Sequence, residues 1–309
     1  MSVGPRSFVR SGCPDRRLGV AAGGTVGPVN SPSRPVTRLD KSDVLPALFA
    51  SWEAIDQVVA DLPEEQWHRA TALPGWDVHD VVAHVVGTES MLQGAGMPDV
   101  DIDVSTLKHV RNDIGMLNER WVRKLRGLSC AELLEKFRAT TDARREALSA
   151  MPDAAWHEVT VTPAGPDSYG RFMRVRTFDC WMHEQDIRDA LQRPCDDTGL
   201  EGAHARLAVD EMVASMGFVV GKLGKAPQGS RVRIELTGPL RRTINVAVGE
   251  RAKVVEDFGG AEPTTTITLD GLLFTRLAGG RTSVDHDVIS YDGDEAVGRR
   301  IVEQFNYVI

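Results

Sequence analysis

Three ionisable side chains share one face of a predicted helix between residues 176 and 188. Asp179, His183 and Asp186 fall together at roughly 100° per residue, within an apolar stripe that should face the core. A buried carboxylate or imidazole is costly unless it is paired, hydrogen-bonded or bound to a metal. Asp179 and His183 lie one helical turn apart. The pattern therefore permits either a shared metal ion or an Asp–His hydrogen bond within one helix.

A histidine on an earlier helix favours the metal. The stretch Leu73-Pro-Gly-Trp-Asp-Val-His-Asp-Val-Val-Ala-His84 predicts a helix that starts at Asp77, an N-cap residue after a turn. His84 lies on the flank of its valine-rich face, so periodicity permits it to point between helices without requiring it. With Asp179 and His183 it would complete a set of two histidines and one carboxylate. Three protein ligands with an open position are typical of catalytic zinc sites, whereas structural zinc usually takes four.

These motifs resemble the N-terminal domain of the mycothiol-dependent maleylpyruvate isomerase family, which belongs to the DinB-like group of metal-binding four-helix bundles. The family pattern has a histidine on the second helix and a Glu-x-x-x-His pair on the last helix of the bundle. The resemblance implies that His84, Asp179 and His183 are metal ligands, with zinc the expected divalent cation. Asp179 stands where the family usually has glutamate. Because aspartate is shorter by a methylene, its carboxylate must approach the ion more closely or through water.

Two further carboxylates are predicted to support these ligands. Ligating histidines usually donate their other ring N–H to a carboxylate or carbonyl. Asp186 lies one turn after His183, and Asp80 lies one turn before His84. We expect at least one of the two aspartates to hold a ligand imidazole or a group that supports a ligand.

Length and composition exclude several classes of protein. The chain has 309 residues, of which 42% are hydrophobic and 26% charged, enough for two domains and a substantial core. A formal net charge of −8 argues against nucleic acid as the main partner. No apolar run approaches the roughly 20 residues of a membrane span. The four cysteines form no Cys-x-x-Cys pair, which indicates a cytoplasmic protein without disulfides. Cys180 is interpreted as a packing residue.

The order of elements predicts a two-domain α + α/β architecture. Residues 1 to 38 are rich in arginine, glycine and proline, and predict a disordered tail or a start codon assigned too early. Residues 39 to 193 show helical patterns, one of them over 106–127, and predict an antiparallel bundle of four or five helices. The family resemblance implies that this is a DinB-like four-helix bundle. Residues 199 to 309 combine helices with alternating strands, and predict a small α+β domain.

The second domain resembles the C-terminal domain of the same family, which is similar to sterol-carrier-type folds. Gly280-Arg281 and Tyr291-Asp-Gly-Asp294 carry this resemblance. The family binds mycothiol, a low-molecular-weight thiol of actinobacteria. A bound divalent cation lowers the pKa of a thiol, so that it coordinates as thiolate at neutral pH. The resemblance therefore implies a metal- and mycothiol-dependent transferase or isomerase that adds the thiol to a small electrophile.

The sequence leaves alternatives open for the role of Arg281 and for the function of the chain. An anionic electrophile would need a cation, for which Arg281 is the candidate; otherwise Arg281 is a surface or turn arginine. A DinB-type bundle could use its metal for hydrolysis without mycothiol. The chain could also be a non-enzymatic metal or ligand sensor, with the second domain as a carrier module. An open coordination position favours an enzyme, and the sequence leaves thiol transfer and hydrolysis as alternatives.

Overall fold

A helical first part of the chain is followed by a part that contains a sheet. The structure is a computed structural model and describes residues 35–163 and 165–308. The predicted tail comprises residues 1 to 38. Of these, residues 1–34 lie outside the described residues. The first part contains α1 (Lys41–Val59), α2 (Glu64–Trp67), α3 (Val78–Leu92), α4 (Asp113–Leu125), α5 (Cys130–Ala150), α6 (Asp153–Trp156), the paired strands β1 (Val159–Thr162) and β2 (Gly165–Ser168), and α7 (Tyr169–Leu191).

Capping residues fix the start of the two helices that carry the candidate ligands. The Asp77 side chain accepts a hydrogen bond from the Asp80 amide, and the Asp80 carboxylate accepts one from the Asp77 amide, which is a reciprocal capping box at α3. Ser168 Oγ accepts the Arg171 amide at the start of α7. These caps satisfy amides that have no partner within the helix. The first turns of α3 and α7 are thereby fixed.

The third long helix starts later than the sequence pattern predicts. A helix was expected over 106–127, whereas α4 begins at Asp113. Asn112 has extended backbone geometry, and its side chain accepts the Gly115 amide at 2.8 Å. A short 3-10 turn, Val104–Thr106, lies ahead of it. The cap at Asn112 therefore sets the boundary, because asparagine at this position satisfies an amide that apolar spacing cannot.

Four helices of the first part form a ring around a shared hydrophobic cluster. α1 contacts α5 and α7, and α3 also contacts α5 and α7, while α4 packs against α3. The close approach of α4 depends on Gly87, because a Cβ there would lie 2.4 Å from Trp121 Cβ. The shared hydrophobic cluster is filled by large side chains, including Trp52, Ile55, Phe137, Leu148, Trp156 and Met173.

No helix among the described residues is long and apolar enough to cross a membrane.

The second part combines a mixed sheet with helices. Within the described residues the sheet has five strands in the order β5-β4-β3-β6-β7. Strands β3 and β6 are parallel and the other neighbours are antiparallel. The elements are α8 (Asp197–Leu200), α9 (Ala203–Phe218), a π-helix (Val219–Leu223), β3 (Arg231–Thr237), β4 (Arg242–Val248), β5 (Ala252–Val255), β6 (Thr265–Asp270), α10 (Gly271–Ala278), a 3-10 turn (His286–Val288), β7 (Ser290–Gly293) and α11 (Glu295–Val302).

Helix α7 belongs to both hydrophobic clusters. Cys180 and Ile187 of α7 pack in the cluster of the first part. Trp181 and Met182 pack in the cluster of the second part, with residues of the sheet such as Ile234. The helix that carries Asp179 and His183 is therefore held from two sides. Such a helix is a rigid support for a site, because its side chains are fixed by packing.

Candidate metal centre

His84, Asp179 and His183 converge between α3 and α7. Their candidate ligand atoms all lie within 4.8 Å of one another. His84 Nε2 is 3.2 Å from Asp179 Oδ2, and His183 Nε2 is 3.6 Å from Asp179 Oδ1. The two imidazole rings meet edge to face, with their centroids 4.8 Å apart. The fold thus brings together the three side chains that the sequence analysis singled out.

The surroundings favour protonation states that suit a cation. Burial lowers the pKa of His84, although the carboxylate of Asp179 opposes this effect. Burial alone would raise the pKa of Asp179, but Arg176 and the two imidazoles hold it well below its usual value. The side chain of Asp179 is 29% exposed, whereas those of His84 and His183 are 4% and 8% exposed. A neutral imidazole and an ionised carboxylate are the forms that bind metal.

Asp186 holds His183, and Arg281 holds Asp186. His183 Nδ1 lies 3.0 Å from Asp186 Oδ2, so the ring N–H donates to the carboxylate. Arg281 Nε and Nη2 donate to the two oxygens of Asp186 at 3.0 and 2.9 Å. The Arg281 side chain is only 11% exposed, so it is not a surface arginine. The Arg281 guanidinium contacts Asp186, which in turn contacts His183, so Arg281 is not a free cation at the site.

Asp80 contacts an arginine and the helix cap rather than an imidazole. Arg126 donates to both of its carboxylate oxygens at 2.7 Å, and the Asp77 amide donates to one of them. In the third position of α3 the carboxylate folds back onto the helix cap, which takes it away from His84. Of the two aspartates proposed to hold an imidazole, only Asp186 contacts one in the described structure.

A buried arginine that the sequence analysis did not single out contacts Asp179. Arg176 Nη1 donates to Asp179 Oδ2 at 2.5 Å, and Arg176 Nε donates to Glu89 Oε1 at 2.9 Å. Arg144 Nε donates to the other oxygen of Glu89 at 2.8 Å. Asp179 is therefore fixed from α7 and, through Glu89, from α3. Arg176 lies one turn before Asp179, so helical spacing could have indicated this pair.

An indole also borders the site. The Trp76 ring lies 5.3 Å from the His84 ring and 6.4 Å from the His183 ring, measured between centroids. Its Nε1 donates to Glu119 Oε2 at 2.9 Å. In the sequence Trp76 is part of the family motif only, and no local pattern indicates Glu119.

Cys180, next to Asp179 in sequence, is expected to be chemically inert in the folded protein. It is fully buried, and burial raises the pKa of its thiol to about 12 despite the nearby Arg176. At pH 8 iodoacetamide should leave Cys180 unmodified in the native chain and modify it after unfolding, because the thiolate is the reactive form. Peptide mass spectrometry measures this, with the partly exposed Cys130 as the internal comparison. Native labelling of Cys180 as fast as Cys130 would contradict the expectation.

Comparison with known families covers most of both parts of the chain. The model of the mycothiol maleylpyruvate isomerase N-terminal domain matches residues 48–188. The model described as MDMPI C-terminal domain matches residues 206–300. The chain belongs to the mycothiol-dependent maleylpyruvate isomerase family. As a member of this family it is an enzyme of the isomerase or transferase kind.

Individual proteins are also similar to this chain. Two Mycobacterium tuberculosis proteins, described as uncharacterized protein MT0041 (strain CDC 1551 / Oshkosh) and uncharacterized protein Rv0036c (strain H37Rv), are each 27% identical over 220 residues. The match spans 68% of this chain and 80% of each relative. A crystal structure of the mycothiol-dependent maleylpyruvate isomerase superposes with a TM-score of 0.54 at 13% identity, over 82% of this chain and 93% of that one. This likeness confirms the predicted order of a helical domain followed by a domain with a sheet.

Proposed function

We propose that this family member is a metal- and mycothiol-dependent isomerase or S-transferase, with His84, Asp179 and His183 as ligands of a divalent cation. The convergence of two imidazoles and one carboxylate within 4.8 Å carries this proposal. Nitrogen and oxygen donors of this kind fit zinc, which is our first choice of metal. Three protein ligands leave a position for a thiolate, which supports thiol chemistry over a structural role for the ion.

The residues of the chain would prepare this site before substrate arrives. A bound divalent cation would supply the chemistry of lowering the pKa of a coordinated thiol. Asp186 accepts the Nδ1–H of His183, which leaves Nε2 of that ring directed at Asp179. Burial lowers the pKa of His84, which favours the neutral form of its imidazole. Arg176 holds Asp179 in place from the same helix.

The charges around the site support an anionic electrophile. Buried or half-buried carboxylates and arginines are equal in number here, in the pairs Asp179–Arg176, Asp186–Arg281 and Glu89–Arg144. A divalent cation would add two positive charges to this balanced set, and a thiolate together with a carboxylate substrate would neutralise them. The sequence analysis proposed Arg281 as the partner of the substrate anion. Because Asp186 occupies its guanidinium, we propose instead that Arg281 acts by holding Asp186.

The helix contacts support the finer description of the fold. We propose that α1, α3, α5 and α7 constitute a DinB-like four-helix bundle within residues 39–193, since each of these helices contacts two others in a closed ring. Residues 199–309 would then be the sterol-carrier-like domain. Metal ligands that project inward from facing helices are typical of such bundles.

The function is tested by metal binding and thiol consumption on the full-length chain. The purified protein is stripped with a chelator, reloaded with zinc, and incubated with mycothiol and a panel of small electrophiles that includes maleylpyruvate. We expect one bound ion per chain and mycothiol-dependent conversion only in the loaded protein. Tight metal binding with no use of mycothiol would favour the hydrolase or sensor alternative. A chain that binds no divalent metal would contradict the proposal.

The support from Asp186 gives a separate prediction. Asp186→Asn should weaken zinc binding by about 10- to 100-fold, because an amide holds the His183 N–H less strongly than a carboxylate. Competition with a chromophoric chelator measures this affinity. Asp189→Asn is the matched control, since Asp189 lies on the same helix and also pairs with an arginine, Arg276. Equal zinc affinity for both variants would remove Asp186 from its supporting role.

A further inference from the structure

His84 lacks the hydrogen bond that usually orients a ligating histidine. Its Nδ1 is buried and has no hydrogen-bond partner among the described residues, while Nε2 faces Asp179. His183, in contrast, donates from Nδ1 to Asp186. A neutral ring that offers Nε2 to a cation carries its proton on Nδ1. In the described structure Nε2 lies 3.2 Å from Asp179 Oδ2, and a cation on Nε2 would replace that hydrogen bond, so with a cation bound no hydrogen bond within the described residues would orient the His84 ring.

Packing against aromatic rings remains to orient the His84 imidazole. The His84 ring contacts Trp76, at 5.3 Å and 36°, and His183, at 4.8 Å and 72°, and these two rings are 6.4 Å from each other. Rings at such distances are in contact, so both neighbours restrict rotation of the His84 imidazole. The His183 ring is itself held by Asp186. Trp76 is the other ring that contacts His84, and it limits where the His84 ring can lie.

The Trp76 indole is held by a buried carboxylate. Its Nε1 donates to Glu119 Oε2 at 2.9 Å, and His109 Nε2 lies 3.1 Å from the same oxygen. Arg123 Nε donates to Glu119 Oε1 at 2.8 Å. The Glu119 side chain is only 1% exposed. A carboxylate that is withdrawn from water in this way is costly to bury, and its donors must be well placed to offset that cost.

The backbone on either side of the indole is fixed as well. The Trp76 carbonyl accepts hydrogen bonds from the amide and the hydroxyl of Thr71, at 3.1 and 2.9 Å. Gly75 has φ +83°, and a Cβ there would lie 2.9 Å from the His109 ring. Arg126 Nη2 donates to the Gly75 carbonyl at 2.8 Å. The backbone of the turn and the hydrogen bond to Glu119 therefore both restrain the indole.

We propose that Trp76, anchored by Glu119, is a positioning residue that orients the His84 imidazole in place of a hydrogen bond to Nδ1. The part of this proposal that concerns metal affinity rests on the proposed function; the orientation of the ring does not. A half-exposed tryptophan could satisfy its N–H with water, so a fold that needed only packing here would not need a buried carboxylate. A buried carboxylate that holds the Trp76 indole is expected where the position of the indole matters to a neighbouring side chain such as His84.

The first test measures ring order in the metal-free protein. Histidine ¹H–¹³C spectra of the full chain should show one sharp set of His84 signals in the wild type. Trp76→Ala should broaden or double these signals, and Trp76→Phe, which keeps a ring but loses the N–H, should broaden them less. Trp156→Phe is the control, because it also loses an indole hydrogen bond, to the Leu39 carbonyl, but not at the site. Sharp, single His84 signals in Trp76→Ala would overturn the proposal.

The second test measures Co²⁺ binding by calorimetry and by the visible spectrum of the ion. Trp76→Ala should weaken binding about 10- to 100-fold, the range for partners that orient a ligand. Trp76→Phe should lose less, and Trp156→Phe should keep the wild-type affinity and spectrum. Broadened His84 signals with unchanged Co²⁺ affinity would overturn the positioning role. A wild type that does not bind Co²⁺ would overturn the proposed function, while the spectra of the metal-free protein still decide the orientation of the ring.

Discussion

The variant His84→Gln is expected to stay folded, to lose stoichiometric zinc and to lose mycothiol-dependent turnover. The loss of turnover should exceed about 100-fold, which is the upper end for partners that only support a ligand. Glutamine keeps a polar side chain at this buried position but removes the imidazole nitrogen that faces Asp179. The fold should persist because large apolar side chains, not the ion, fill the cluster of the first part. Metal content, circular dichroism and thiol consumption are measured on the same preparation.

A second buried histidine on the same helix provides the control. His79 is 3% exposed, like His84, and its Nε2 donates to the Leu128 carbonyl at 3.1 Å. His79→Gln should lower stability somewhat but keep zinc and turnover. If thiol turnover survives in His84→Gln with no metal bound, the metal–thiolate mechanism is wrong. If both variants lose turnover equally, the loss reflects the helix rather than the site.

The local half of the site could be predicted from the sequence. Asp179, His183 and Asp186 are related by the geometry of one helix, so their common face follows from spacing alone. The same rule was insufficient for Asp80, which is also one turn from its histidine. Asp80 occupies the capping-box position of α3, and its carboxylate accepts hydrogen bonds from the Asp77 amide and from Arg126. The Asp77-x-x-Asp80 spacing is that of a capping box, and it predicts a local role for Asp80 that competes with helical spacing.

The contacts between distant segments could not be derived from periodicity. His84 lies on the flank of its helix, and only the resemblance to a family placed it with Asp179. Arg281 reaches Asp186 across 95 positions of sequence, and Trp76 reaches Glu119 across 43. Hydrophobic patterning indicates which face of an element is buried, but it does not indicate which partner meets that face. The pairings depend on how the helices pack.

The fold itself was predicted at the level of element order. Alternating and helical patterns separated a helical part from a part with a sheet, and the comparison with solved structures confirms that order. Boundaries were less accurate where a polar cap interrupts an apolar pattern, as at Asn112. The ring of helices around the site is a result of tertiary packing, to which the close approach at Gly87 contributes.

The largest loss of stability is expected for Glu89→Gln. Glu89 is fully buried, and its two oxygens accept hydrogen bonds from Arg144 and Arg176, which are also buried. The substitution keeps the shape of the side chain but leaves two arginines with one negative charge fewer. Removing one partner of a buried ion pair usually costs about 3–5 kcal/mol, because the remaining charge is unpaired and cannot be solvated. Urea unfolding of the full chain measures the change in the free energy of unfolding.

An exposed pair gives the comparison that isolates burial. Asp56 accepts two hydrogen bonds from Arg138, but its side chain is 31% exposed and that of Arg138 is 51% exposed. Asp56→Asn makes the same chemical change and should cost less than about 1 kcal/mol, because water replaces the lost interaction. A similar small loss for Glu89→Gln would show that Arg144 and Arg176 find other partners or water. In that case Glu89 does not fix Arg176, and the position of Asp179 depends on α7 alone.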